Sequence, residues 1–108
     1  MARYMIEFSY KSEAVTALVK KPEDRAVAVG ALISKLGGRL LDFYFTFGEY
    51  DGICIVELPD NVAALAADMA SVAPGHTSKL KTTVLLTPEE ATAAMRKAGE
   101  VSLRPPGA

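Results

Sequence analysis

Residues 39–60 read RLLDFYFTFGEYDGICIVELPD, and this stretch decides the fold. Its first part, residues 39–47, is rich in aromatic residues and alternates between two faces, as a β-strand does. Asp51-Gly52 then supplies the positive φ angles that a tight β-turn needs. Residues 53–58 must therefore return as a second strand, antiparallel to the first, and Pro59-Asp60 ends it.

The sequence on either side of this hairpin adds two strands and four helices. Strand patterns cover residues 4–10 and 79–86, and helical patterns cover residues 12–19, 23–36, 62–72 and 88–98. This order is the βαββαβ arrangement of an α+β, ferredoxin-like fold with an extra C-terminal helix. Right-handed crossovers predict one antiparallel sheet, with the first and third strands at its centre and the helices on one face.

Length and charge narrow the class of protein. The 108 residues suit one domain, predicted over residues 1–98, and a flexible tail over residues 99–108. A net charge of −1 and the lack of a basic stripe argue against nucleic acid as a partner. The N-terminus lacks a signal-peptide pattern, and no apolar run reaches the length of a membrane span. The single cysteine, Cys54, lies in an apolar run, so we predict a cytoplasmic protein with no membrane partner.

The face of the sheet that the helices leave open predicts self-association. If the fully apolar strand faces meet the helices, the open face carries Met5, Glu7, Leu40, Asp42, Tyr44, Ile53, Ile55, Glu57, Thr83 and Leu85. Its apolar members would form a patch larger than a soluble monomer usually exposes. A second copy is the simplest cover, so we predict a homodimer of the dimeric α+β barrel type.

Glu7 and Glu57 are the first candidate site residues, because they lie on adjacent central strands and on one face. A carboxylate pair inside a dimer would have a raised pKa in one member, which separates acid from base. In the alternative interpretation, Glu7 pairs with Lys81 across strands and Glu57 stays solvated. With Tyr44 and Tyr50, these two glutamates form the predicted ligand-binding set.

His76 and the hairpin tip supply the remaining candidates. As the only histidine, His76 is a natural proton carrier near neutral pH, although a solvated loop residue is the alternative. Turn chemistry accounts for Asp51. Tyr50 is not explained by the turn, and it either packs, reaches across an interface or presents its hydroxyl to a pocket. No residue spacing implies a metal, and no cofactor is implied.

The hairpin Gly48-Glu-Tyr50-Asp51-Gly-Ile-Cys-Ile-Val-Glu57-Leu-Pro59-Asp60 resembles the signature of the GYD domain family of small bacterial proteins. The family is named after a glycine, a tyrosine and an aspartate, which correspond here to Gly48, Tyr50 and Asp51. The resemblance covers roughly residues 3–95. It implies the dimeric α+β barrel type of assembly and almost nothing about chemistry.

Three functions follow as hypotheses. The first is a module that binds or senses a small molecule and works as a homo-oligomer. The second is a cofactor-free isomerase, decarboxylase or monooxygenase, with Glu57, Asp51 or His76 as base and Tyr50 as hydrogen-bond donor. The third is a purely structural or protein-interaction role.

Overall fold

Four strands and four helices follow one another in residues 1–107, the part of the chain that the computed structural model describes. They are β1 (Ala2–Tyr10), α1 (Ser12–Lys20), α2 (Arg25–Lys35), β2 (Arg39–Phe45), β3 (Gly52–Leu58), α3 (Asn61–Val72), β4 (Thr77–Leu85) and α4 (Pro88–Gly99). The strands form one antiparallel sheet in the order β2-β3-β1-β4. The predicted fold class and strand order are confirmed.

Helices α2, α3 and α4 begin where a side chain accepts a hydrogen bond from one of their first free backbone N–H groups. Asp60 Oδ1 accepts from the Ala63 N–H at 2.9 Å, and Asp24 Oδ1 accepts from the Ala26 N–H at 2.9 Å. Because Asp24 acts as the cap, α2 starts at Arg25, two residues later than predicted. At α4 the predicted Thr87 cap is confirmed.

Helix α2 ends in a tight glycine turn that leads directly into the sheet. Gly37 has a φ of 83°, a conformation that disfavours side chains with a Cβ atom, and the Gly38 N–H donates to the Ile33 carbonyl oxygen at 3.0 Å. Gly38 lies against the backbone of β3, so close that a Cβ atom there would collide with the Glu57 carbonyl oxygen. The chain therefore needs a glycine where α2 turns into β2.

The β2-β3 hairpin forms as predicted, but the positive φ angles predicted at Asp51-Gly52 are wrong: Gly48 has the positive φ, and Gly52 is already the first residue of β3. Two further details differ from the prediction. Strand β2 ends at Phe45, not at residue 47, because the Thr46 N–H turns to donate to the Asp51 carbonyl oxygen at 2.8 Å. The pairing also slips by one residue at Leu41, which is the signature of a β-bulge. Leu40 consequently lies opposite Val56 and packs against the core, so its predicted place on the open face is wrong.

The core lies between the sheet and helices α2 and α3. Its buried members are Tyr4, Ile6, Ile33, Cys54, Val56, Leu58, Ala64 and Ala67. Burying an aliphatic side chain such as Ile33 or Leu58 stabilises the fold by about 2 kcal/mol. The Tyr4 hydroxyl donates to Asn61 Oδ1 at 2.7 Å, which ties the central strand to the start of α3.

Helix α4 stands apart from this core. It makes no substantial contact with another element of residues 1–107, and all but one of its side chains, Ala91, are exposed. The chain extends over 62 Å, with a radius of gyration of 17.8 Å, whereas a compact domain of this length has a radius of about 13 Å. The packed body therefore ends with β4. Ala108, the last residue of the predicted tail, lies outside the described residues.

None of the helices in residues 1–107 combines the length and the apolar character that crossing a membrane requires.

Candidate functional site

A cleft of about 140 Å³ opens between helices α2 and α3 on the helical side of the sheet. Most of its lining is apolar: Ile6, Phe8, Ala28, Val29, Leu32, Ile33, Cys54, Ala67, Ala70 and Leu80. Ser71 and Thr77 also line it, and their hydroxyls donate to the backbone carbonyl oxygens of Ala67 and Ser71. The cleft exists because α2 packs mainly on β2 while α3 packs on β3 and β4, so the two helices are held apart. Part of the sheet between them is left without a covering side chain.

Polar side chains gather at one end of this cleft, around Tyr10. The ring of His76 lies 6.2 Å from the Tyr10 ring, centroid to centroid, and both line the cleft. Arg25, the first residue of α2, also lines it, and its guanidinium is 3.4 Å from the Glu23 carboxylate. The loop that carries His76 is held in place because the Lys11 N–H donates to the His76 carbonyl oxygen at 2.8 Å. Three elements therefore converge on one polar end, which we call the cleft mouth: Tyr10, Arg25 and His76.

Burial and charge compete at the Tyr10 hydroxyl. Burial raises the pKa of Tyr10 above its ordinary value, while hydrogen bonding to Arg25 and the positive charge of that residue act in the opposite direction. The hydroxyl therefore keeps its proton at neutral pH and lies close to a cation. It can donate a hydrogen bond to an anionic or carbonyl oxygen placed at the cleft mouth.

Cys54, on the floor of the cleft, is poorly suited to nucleophilic chemistry. Burial, with a smaller effect from the charge of Asp68, raises the pKa of its thiol to about 11. A thiol with that pKa is almost entirely protonated at neutral pH, and the thiolate is the reactive form. Asp68 itself accepts hydrogen bonds from Thr82 Oγ1 at 2.9 and 2.8 Å, and burial raises the pKa of its carboxyl. Cys54 and Asp68 thus contribute to the structure of the cleft.

Of the two hairpin-tip candidates, Asp51 holds Tyr10 in place, whereas Tyr50 packs against Lys79. Asp51 Oδ2 accepts from the Tyr10 N–H at 2.8 Å, and the Asp51 N–H donates to the Phe8 carbonyl oxygen at 2.8 Å. The ring of Tyr50 is covered by Lys79, whose Nζ lies 4.6 Å from the ring centroid. Gly48 has a φ of 100°, which a glycine tolerates. These contacts tie the hairpin to the ends of β1 and β4.

On the open face, Glu57 lies between two arginines. Arg39 Nη2 lies 2.6 Å from Glu57 Oε1, and Arg3 Nε lies 3.4 Å from Oε2. Both arginines are cross-strand neighbours of Glu57 in the sheet. The hydrogen bond from Arg39, with a further contribution from Arg3, holds the pKa of the Glu57 carboxyl below its ordinary value. A carboxylate with a lowered pKa is a weaker base than an ordinary glutamate.

We expect the Glu57 titration to depend on Arg39. In the folded protein the carboxyl pKa lies below its unfolded value, so the ion pair stabilises the fold above the unfolded pKa. That stabilisation is lost as the pH falls through the folded pKa. In a ¹³C NMR titration, Arg39→Gln should raise the Glu57 midpoint towards the ordinary value, and Arg96→Gln on α4 should leave it unchanged. An identical midpoint in all three proteins would contradict the assigned ion pair.

The predicted carboxylate pair, Glu7 and Glu57, does not form, because the two residues are not neighbours in the sheet. Glu7 lies opposite Ile53 on β3, whereas Glu57 lies opposite Arg3, four residues further along each strand. At ~3.3 Å per residue this separates them by about 13 Å along the sheet. Lys81 is the cross-strand neighbour of Glu7, as the alternative interpretation expected, but no salt bridge forms between them within residues 1–107. Tyr44, opposite Ile53, is exposed on the edge strand.

The structure therefore separates the predicted site residues. Asp51 and His76 lie beside Tyr10 at the cleft mouth, Tyr50 packs against Lys79, and Glu57 lies at the opposite end of the sheet. Sequence reasoning missed Tyr10 and Arg25. Tyr10 carried a signal, since it ends an apolar strand face in sequence; Arg25 carried none, because its relation to Tyr10 arises only from the fold.

No group of three or more His, Cys, Asp or Glu residues within residues 1–107 is placed to hold a metal ion.

The antiparallel sheet, its strand order and its helix-covered face define an α+β protein of the ferredoxin-like class. The profile of the GYD domain family matches residues 4–95, and the chain belongs to that family. No curated protein sequence matches the chain.

Two solved structures are similar to it. The crystal structure of MtbAldR is 17% identical, with a TM-score of 0.57 over 80% of this chain and 53% of that chain. This chain thus spans about half the length of MtbAldR, and at that identity the likeness shows the fold alone. The crystal structure of FFRP-DM1 is also 17% identical, with a TM-score of 0.45 over 80% of this chain and 100% of that chain.

Proposed function

We propose that the protein is a small-molecule-binding module whose ligand occupies the cleft between α2 and α3. The observation that carries the proposal is an apolar cleft with its polar groups gathered at one end. Ligand sites in proteins are typically concave and mostly apolar, with a few polar groups that orient the ligand. The cleft between α2 and α3 has this composition, and the cleft mouth supplies the orienting groups.

Size and charge define the class of ligand. An apolar cavity of about 150 Å³ holds one benzene-sized molecule, so a volume of about 140 Å³ suits a single ring or a short aliphatic chain. None of the residues lining the cleft is acidic, whereas Arg25 is cationic and the Tyr10 hydroxyl is a donor. A small monocarboxylate fits both features, with its apolar part in the cleft and its carboxylate beside Arg25 in place of Glu23.

We expect Arg25→Ala to weaken carboxylate binding by about tenfold or more, the usual effect of losing a hydrogen bond to a charged group. Benzoate and its uncharged analogue benzyl alcohol are suitable probes, titrated into ¹⁵N-labelled protein and followed by NMR. Benzoate should bind more tightly than benzyl alcohol to the unmodified protein. In Arg25→Ala this preference should disappear.

Two further variants make the test specific. Arg96→Ala removes an arginine from the exposed helix α4 and should leave benzoate affinity unchanged. Ala70→Phe places a ring over the cleft from an exposed position on α3 and should block both probes. The proposal is wrong if neither aromatic nor short aliphatic monocarboxylates shift the NMR resonances of cleft residues. It is also wrong if the shifts are unchanged in both Arg25→Ala and Ala70→Phe.

We further propose that the module works as a homodimer of the dimeric α+β barrel type. Support comes from the open sheet face, where Met5, Ile53 and Ile55 form an apolar centre that no helix covers. The cytoplasmic location also stays a prediction. If the ligand instead lies on the predicted set Glu7, Tyr44, Tyr50 and Glu57, the benzoate shifts will map to the open face and hairpin.

A cofactor-free enzyme is the second candidate function, favoured by the position of His76. Its ring lies 6.2 Å from the Tyr10 ring, centroid to centroid, at the end of the cleft, so a base and a hydrogen-bond donor line the same cleft mouth. Turnover of a bound carbonyl compound, lost in His76→Ala and retained in Glu57→Gln, would support an enzyme. Binding without turnover would support the small-molecule-binding module. No binding at all would favour a structural role.

A further inference from the structure

Helix α3 is apolar on two opposite faces. Its inner face buries Ala64 and Ala67 against the sheet. Its outer face carries a stripe at spacings of three, four and three residues, and each member is between 48% and 77% exposed: Val62, Leu65, Met69 and Val72. A helix that is apolar all round is normally covered on all sides. The outer stripe therefore has the character of a contact surface.

Helix α4 also exposes an apolar face, and it makes no substantial contact with another element of residues 1–107. Ala91, Ala94, Met95 and Ala98 recur at helical spacing on one side, while Glu89, Arg96 and Lys97 lie on the other. An isolated helix of 12 residues is marginal in water, even with the capping box that Thr87 and Glu90 form here. Most helical stability comes from packing of the apolar face. No other element of residues 1–107 provides that packing.

Within one chain, the apolar face of α4 does not pack on the outer stripe of α3. Helix α3 packs on β3 and β4, and α4 follows β4 after only Leu86 and Thr87, yet α4 makes no substantial contact with α3. Instead α4 leaves the packed body, which accounts for the 62 Å length.

We infer that α4 of one copy of this chain packs in trans on the outer stripe of α3 of a second copy. If two copies related by a two-fold axis exchange their α4 helices, the apolar surfaces of α3 and α4 are covered in both copies, and only one kind of chain is needed. Charge selects an antiparallel pairing. Residues 60–72 hold Asp60 and Asp68 and no basic residue, and the last turn of α4 carries Arg96 and Lys97. An antiparallel arrangement brings those cations to the Asp60 end of α3, whereas a parallel one brings Glu89 and Glu90 there. The inference rests on α3 and α4 alone and is independent of the ligand cleft.

Engineered thiols test this contact in the full chain, because the native thiol of Cys54 is buried and leaves any introduced thiol as the accessible one. Met95→Cys and Met69→Cys are made in separate, differently tagged copies, which are expressed together and oxidised mildly. Both positions are exposed, so the fold should tolerate the changes. The expected product is a disulfide between the two tagged chains, formed at least tenfold faster than with Ala93→Cys, an exposed position on the opposite side of α4.

A second measurement does not depend on disulfide formation. In sedimentation equilibrium, Met95→Glu should weaken self-association at least tenfold, whereas Ala93→Glu should leave it unchanged. Equal cross-linking from Met95→Cys and Ala93→Cys would overturn the inference, as would equal association of the two glutamate variants. Preferential linkage of Met95→Cys to Ile55→Cys, on the open sheet face, or an intramolecular disulfide in a chain carrying both Met69→Cys and Met95→Cys, would also overturn it.

Discussion

Replacing Gly38 by alanine should destabilise the protein by about 3 kcal/mol, the upper end of the usual cost of overpacking a tight contact. A Cβ atom at Gly38 would collide with the Glu57 carbonyl oxygen and would lie 2.7 Å from Leu58 Cδ2. A side chain can rotate away, but a backbone carbonyl in a central strand cannot move without disturbing the sheet. The predicted loss is a large part of the 5–15 kcal/mol that typical domains possess.

Urea denaturation followed by far-UV circular dichroism measures this loss. Gly30→Ala is the matched control, because a Cβ there would meet only Leu40 Cδ2 at 3.7 Å, an ordinary contact. Within α2 that change should raise stability by about 0.5–1 kcal/mol through helix propensity. Equal stabilities for Gly38→Ala and Gly30→Ala would show that the close approach of the Gly37-Gly38 turn to β3 is incorrect.

Asp51→Ala should cost about 1–3 kcal/mol of stability, the penalty of leaving a partly buried donor without its acceptor. The Asp51 carboxylate accepts from the Tyr10 N–H at 2.8 Å, where β1 reaches the hairpin. Without this carboxylate the end of β1 is held less firmly, and so is the Tyr10 ring at the cleft mouth. Benzoate binding should therefore weaken in this variant as well, although Asp51 does not line the cleft.

Asp51→Asn separates the structural role from a catalytic one. Asparagine keeps an oxygen that can accept from the Tyr10 N–H, so its stability should lie close to that of the unmodified protein. Chemical denaturation of the two variants, side by side, provides the measurement. If Asp51→Ala proves as stable as Asp51→Asn, the hydrogen bond from the Tyr10 N–H to Asp51 does not stabilise the end of β1. Asp51 would then again be a candidate catalytic base.

Local patterns in the sequence predicted the elements and their order because those patterns depend on near neighbours along the chain. Asp60 and Thr87 cap helices, and Gly37-Gly38 ends one. Each signal acts within a few residues, so each is readable without the fold. The bulge at Leu41 was not predicted, because it depends on how β2 pairs with β3.

The candidate site was predicted only in part. The only histidine, His76, and the turn residue Asp51 are candidates from sequence, but the sequence does not show that both lie beside Tyr10. Glu57 was singled out as a possible base, whereas cross-strand pairing gives it two arginine partners. Distances between residues far apart in sequence decided each of these outcomes.

By itself, the sequence determined an α+β chain with a four-stranded antiparallel sheet, capped helices and family membership, because periodicity, capping and turn chemistry are local. Only the tertiary structure decided that α2 and α3 stand apart over a cleft, that Arg25 and Tyr10 line it together, and that α4 makes no substantial contact with another element of residues 1–107. These features arise from how far apart packed elements are held, and no short stretch of sequence encodes that distance.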